Sequence, residues 1–134
     1  MPVFWHENTK QFHLLNPHLS YIIQVLENGH LGQLYVGKRL NDREDFGQLQ
    51  ERASRSFSAY PENLDPYFSL EQLRQEYPCY GSGDMRYPAV EVEGENGSTL
   101  TDFVYPSHKI FDGKPRLEGL PATFGEETEC KTLE

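Results

Sequence analysis

The chain has 134 residues and a net charge of −9, with 21 acidic and 12 basic side chains. That length suits one domain, and the acidic balance excludes the basic stripe that a nucleic-acid backbone requires. Apolar residues make up 37% and aromatic residues 13% of the chain, so the expected core leans on rings with polar tips, as sheet proteins often do.

From the N-terminus, Met1-Pro2-Val3-Phe4-Trp5-His6 lacks a basic start followed by an apolar run, so no secretory signal is read. No apolar stretch approaches the roughly 18 residues of a membrane span. Cys79 and Cys130 are far apart and outside any Cys-x-x-Cys pair. They give no disulfide framework, and a reduced cytoplasm is the expected compartment.

Short β-like runs follow. Phe12 and Leu14 alternate with His13, and Leu19–Leu26 comes after the turn residues Asn16-Pro17. A Glu-Asn-Gly at 27–29 leads into Leu31–Leu40, where Leu34, Val36 and Leu40 are expected to share one face. A second Glu-Asn-Gly at 95–97 separates Val90–Glu93 from Leu100–Tyr105. Asn-Gly tolerates positive φ at both positions, so each copy reads as a type I′ hairpin. A run at Lys109–Phe111 follows, with turns at Asp112-Gly113-Lys114-Pro115 and Gly119-Leu120-Pro121. One short helix is expected over Ser69–Tyr77, where Ser69 and Gln72 have capping-box spacing and Pro78 stops it. The fold class read from this pattern is all-β, mostly antiparallel, with that one helix.

Asn41–Pro66 is a long charged segment between strands. Loops of this length are uncommon in compact domains, so it is expected to be mobile or to touch another subunit. The five histidines have no metal-ligand spacing, and no metal or cofactor is expected. His13 is expected to be a structural residue, facing out or hydrogen-bonded. Asp84, two residues before Arg86, is expected to pair with it and fix the Gly81–Arg86 loop. Trp5, Tyr60, Tyr77 and Tyr80 could stack on a sugar ring, or belong to the core or to a subunit contact.

The order of these pieces resembles the start of bacterial α-galactosidases of glycoside hydrolase family 36. The resemblance is carried across the chain by Phe12-His13-Leu14, Ser20-Tyr21-Ile22, Gly29-His30-Leu31, Leu34-Tyr35-Val36-Gly37-Lys38 and Phe57-Ser58. It continues through Phe68-Ser69-Leu70, Glu76-Tyr77-Pro78, Gly81-Ser82-Gly83-Asp84-Met85-Arg86, Glu95-Asn96-Gly97-Ser98 and Gly119-Leu120-Pro121-Ala122-Thr123. It implies that residues 1–134 are part of an N-terminal β-supersandwich, followed in the parent by a (β/α)8 barrel that holds both catalytic Asp residues. The parent would remove terminal α-linked galactose from melibiose- or raffinose-type oligosaccharides. No residue of this chain inherits a catalytic role.

The family's early loop also reaches a neighbouring subunit's active site through an Asp and an Arg. Those positions are Ser54 and Pro66 here, so those roles do not transfer. Arg55 and Asp65 remain as candidate substrate contacts. The implied partners are the barrel of the parent chain, an oligosaccharide bound through the parent enzyme, and further copies in a homo-oligomer. The resemblance puts Cys130–Glu134 where the family runs on into more sheet, and a second copy is expected to cover the open edge. The alternatives are a free-standing carbohydrate-binding module and an assembly domain without ligand.

Overall fold

The computed structural model describes residues 2–53, 68–81, 84–116, 118–121 and 130–134. Four antiparallel strands form the main sheet in sequence order: β1 (Val3–His6), β2 (Gln11–Leu15), β3 (Leu19–Val25) and β4 (Leu31–Lys38). A separate ribbon pairs β5 (Ile110–Asp112) with β6 (Lys131–Leu133). The expected all-β, antiparallel class is what the chain adopts.

The period-2 alternation of β2 and β3 sends their side chains to two faces, and both faces are covered. Phe12, Ile23 and Val25 form one cluster, packed by Trp5, Leu14, Tyr21, Leu31, Tyr105 and Leu133. Ile22, Leu34 and Phe46 form a cluster on the other side, with Tyr35, Leu40 and Leu49 against it. A third cluster, Leu26, Phe68, Leu70 and Leu73, lies at the hairpin end. β1 was not legible as a strand. Its alternate residues nonetheless obey the same rule: Trp5 meets the Phe12 ring with centroids 4.3 Å apart, whereas Phe4 pairs with His13 in register.

Leu34 and Val36 do not share a face. Ile22 pairs with Tyr35 and Ile23 with Gln33, so Leu34 is the extra residue of a β-bulge. Leu34 turns into the Ile22–Phe46 cluster at 5% exposure, while Val36, opposite Tyr21, is 51% exposed. Leu40 does join the Leu34 side.

The Asn-Gly turns also differ from a type I′ geometry. Gly29 N–H donates to Leu26 O (2.9 Å) and Leu26 N–H to His30 O (2.8 Å). Gly29 has φ +87°, and Asn28 is not among the positive-φ residues. This is a type I turn closed by a left-handed glycine, which needs three loop residues rather than two. Gly94–Ser98 repeats it, with Gly97 N–H on Gly94 O and Gly94 N–H on Ser98 O, both 2.9 Å. Here the turn has no ladder, and residues 90–93 and 100–105 are not strands. Their backbone is used elsewhere: Tyr105 N–H donates to Gly29 O (2.8 Å) and Thr101 N–H to Tyr80 O (3.4 Å).

The expected helix over Ser69–Tyr77 is not formed. Two successive i→i+3 bonds, Gln72 N to Ser69 O and Leu73 N to Leu70 O, give turns only. Tertiary partners take the backbone that a helix would need. Arg86 Nη2 donates to the carbonyls of Leu70 and Leu73 (2.7 and 2.8 Å). Beyond them Gln33 N–H takes Arg74 O and Glu76 N–H takes Leu31 O, laying the segment along β4. The one short helix among the described residues is a single 3-10 turn at Gly47–Leu49.

The two matching glycines give a direct comparison. A Cβ on Gly29 would lie 3.3 Å from Val104 Cβ, whereas a Cβ on Gly97 would meet nothing within 4 Å. Both positions carry the left-handed strain of roughly 1 kcal/mol for a non-glycine residue. Gly29→Ala is therefore expected to destabilise the fold more than Gly97→Ala, about 2 against about 1 kcal/mol, read from urea denaturation midpoints.

Candidate functional site

Asp42, His13 and Ser20 form a hydrogen-bonded chain in the order of a hydrolase triad. Asp42 Oδ1 lies 2.7 Å from His13 Nδ1, and His13 Nε2 lies 2.9 Å from Ser20 Oγ. The resemblance ends there. His13 and Ser20 are wholly buried, and Ser20 Oγ also accepts the Leu40 amide (2.9 Å). With no route for a substrate, the chain is a structural pin. It fixes His13 as a hydrogen-bonded residue, not one facing out.

The same pin anchors the start of the long loop. His6 Nε2 also lies on Asp42 Oδ1 (3.0 Å), and Thr9 Oγ1 donates to Glu44 O (2.7 Å). Gln11 is shared: its Nε2 donates to Asp45 Oδ1 (3.2 Å), and its Oε1 accepts the Phe46 amide (2.8 Å). Phe46 is fully buried, with the Arg43 guanidinium 4.9 Å above its ring. Residues 41–49 are thus tied down by polar bonds that hydrophobic pattern does not register. Ser54, Arg55, Tyr60, Asp65 and Pro66 lie outside the described residues, so the candidate substrate contacts Arg55 and Asp65 do too.

A second relay begins at Asp84, whose pairing with Arg86 is as expected. Asp84 is 1% exposed and receives Arg86 Nε (2.8 Å), Nη2 (2.8 Å) and backbone N–H (3.0 Å). Gln75 Nε2 adds a fourth bond (2.6 Å). Gln75 Oε1 then faces His30 Nδ1 (3.0 Å), and His30 Nε2 faces Asp102 Oδ1 (2.6 Å). The relay links the first Asn-Gly turn to the segment ahead of Tyr105. Burial opposes ionisation of Asp84, but the bonds and charge of Arg86 and the Gln75 bond outweigh it, so its carboxyl is held below the usual range. Across the sheet, Tyr21 donates to Glu76. Burial first, then the Glu76 bond and charge, push the Tyr21 phenol up to about 12.

The aromatic candidates divide. Trp5 is packed between Phe12 and His108 (4.3 and 4.8 Å between centroids) and belongs to the core. Tyr77 is half exposed, edge-on to Phe103 at 5.8 Å. It borders an apolar cavity of about 290 Å³ floored by Phe12, Ile23, Leu31 and Leu133. Tyr80 lines a separate groove of about 390 Å³ with Arg86 and Tyr87. Tyr87 was missed in the sequence, although a residue before proline is pushed towards extended backbone; it is 90% exposed. Among the described residues no three His, Cys, Asp or Glu side chains converge as a metal cage, and neither cysteine is in a disulfide.

The two shifted groups set opposite limbs of the pH–stability curve. Asp84 is lowered, so its contribution is full above the ordinary value near about 4 and is lost as pH falls through its lower folded value. Tyr21 is raised, so its contribution is full below the ordinary value of about 10 and is lost as pH rises towards 12. Asp84→Asn should cost about 1–3 kcal/mol at neutral pH, with a gap from the parent that narrows below about pH 4. Tyr21→Phe should flatten the decline between about pH 10 and 12. Denaturant midpoints measured across pH check both.

Residues 29–134 match the glycosyl hydrolase family 36 N-terminal domain. Along its whole length the chain is 47% identical to α-galactosidase AgaA of Geobacillus stearothermophilus, of which it covers 18%. The crystal structure of α-galactosidase AgaB from the same organism superposes with a TM-score of 0.84 at 46% identity, over 99% of this chain and 18% of that one. The α-galactosidase of Lactobacillus brevis does so with a TM-score of 0.88 at 34% identity, over 97% of this chain and again 18% of the other. The chain thus spans under a fifth of the length of these relatives. It belongs to glycoside hydrolase family 36, with residues 29–134 falling in the N-terminal domain of that family.

Proposed function

We propose that the chain is a non-catalytic part of a longer α-galactosidase, which removes terminal α-galactosyl units from raffinose-type oligosaccharides. The observation that carries this is the end-to-end match of 134 residues to 18% of an α-galactosidase at 47% identity. The polar chemistry agrees. Asp42, Asp84, Glu76 and Asp102 are bound to His13, Arg86, Tyr21 and His30 and serve the fold.

The partner of the domain is the catalytic barrel of the parent chain, which supplies both carboxylates of a retaining site. Two features support a role in building a larger β layer. The β5–β6 ribbon has two strands, a number that is marginal alone, and the 290 Å³ cavity beside Leu133 is lined by apolar residues ready to receive more chain. Homo-oligomerisation and a cytoplasmic location complete the proposal. Among the described residues no helix is long and apolar enough to cross a membrane.

The test is hydrolysis of a chromogenic α-galactoside by the 134-residue chain and by a form extended through the barrel, with sedimentation of the extended form. The extended form is expected to turn over substrate and to sediment as an oligomer, and the short chain to be inactive. Turnover by the short chain that disappears when one of its own carboxylates is replaced would overturn the non-catalytic assignment.

A further inference from the structure

Beside the Asp84–Arg86 pair lies an open groove of about 390 Å³, lined by Tyr80, Met85, Arg86, Tyr87, Glu91 and Thr99. Small-molecule sites run from roughly 300 to 1,000 Å³, so it has room for a compact ligand. Its wall is rigid. Arg86 Nε and Nη2 are committed to Asp84 and to the Leu70 and Leu73 carbonyls, and Gly81 and Asp84 close the loop with paired backbone bonds (3.1 and 2.9 Å).

The groove's polar atoms, by contrast, are uncommitted. Among the described residues the side chains of Tyr80, Tyr87, Glu91 and Thr99 hydrogen-bond to no protein group, and Arg86 Nη1 is likewise unused. They stand beside large apolar surface left in water, with Tyr87 90% and Met85 68% exposed. Unengaged donors and acceptors around an exposed ring, beside the pinned Arg86, suit a ligand with a rigid C–H face and hydroxyls at its rim. Charge narrows the class. Arg86 is already neutralised by Asp84, and Glu91 leaves the groove faintly negative within a chain of net charge −9, which disfavours phosphates and other anions.

We propose that this groove is a non-catalytic carbohydrate site that takes one neutral sugar ring of an oligosaccharide, stacked on Tyr87 and hydrogen-bonded by Glu91, Thr99 and Arg86 Nη1. It lies outside the segment that contains Arg55 and Asp65. The choice of oligosaccharide rests on the α-galactosidase reading.

The experiment titrates the 134-residue chain with raffinose, and separately with sorbitol, which has hydroxyls but no ring face, while following backbone amide NMR shifts. Saturable shifts at Met85, Arg86, Tyr87, Glu91 and Thr99 are expected with raffinose and not with sorbitol, with a dissociation constant on the order of 1 mM. Tyr87→Ala and Glu91→Gln should each weaken binding about tenfold, a loss of about 1.4 kcal/mol, at an unchanged denaturation midpoint, because neither side chain is used by the fold. The site is overturned by no saturable shift, by an equal response to sorbitol, or by undiminished binding in both variants. It is also overturned if the same shifts follow protein concentration without sugar, which would mark a contact between copies. Activity of the barrel-extended form is read separately. An active enzyme with a silent groove removes this site alone, and an inactive one removes the reading beneath it.

Discussion

The buried imidazole of His13 holds together elements that hydrophobic contact alone would leave loose. One ring nitrogen takes Asp42 and the other takes Ser20, whose hydroxyl in turn accepts the Leu40 amide. Strands β2 and β3 and the chain leaving β4 therefore meet at one wholly buried ring. Once Asp42 is fixed, Asp45 and Phe46 fall into reach of Gln11, and Phe46 caps the Ile22–Leu34 cluster in edge-to-face contact with His13 (5.0 Å). A buried polar group left without a partner costs about 1–3 kcal/mol, so each of these bonds also specifies where the loop must lie.

The same economy recurs at Asp84. In a chain with 37% apolar residues the described residues build three small clusters, and buried Gln11, His13, Ser20, His30 and Asp84 join them. Networks of this kind rigidify a fold when every member is satisfied. Asp84 accepts four bonds, and its arginine satisfies two carbonyls that a helix would have kept for itself.

Strands β2, β3, β4 and most of β5 were legible because alternation is a local signal, and the Asp84–Arg86 pair was legible because its members are two residues apart. What was hidden depends on distant partners. β1 is a run of neighbouring apolar residues with no alternation to read, and its pairing is set by β2. The Ser69–Tyr77 segment has a helical start, but β4 and Arg86 take its backbone. The two Asn-Gly turns share one geometry and differ in outcome, since only the first is flanked by segments that pair. Family membership was readable from the ordered blocks, whereas the Tyr80–Tyr87 groove exists only once Arg86 has been pinned.

The bulge at Leu34 works as a frameshift written into β4. Before it, odd-numbered Leu31 and Gln33 stand opposite Val25 and Ile23; after it, even-numbered Val36 stands opposite Tyr21 on that same side. One strand thus speaks in two reading frames, and the residue at the junction is the one delivered to the opposite layer. A parity rule applied along all eight residues would mistake Val36 for core and Tyr35 for surface. The sequence of β4 makes sense only when divided at that residue.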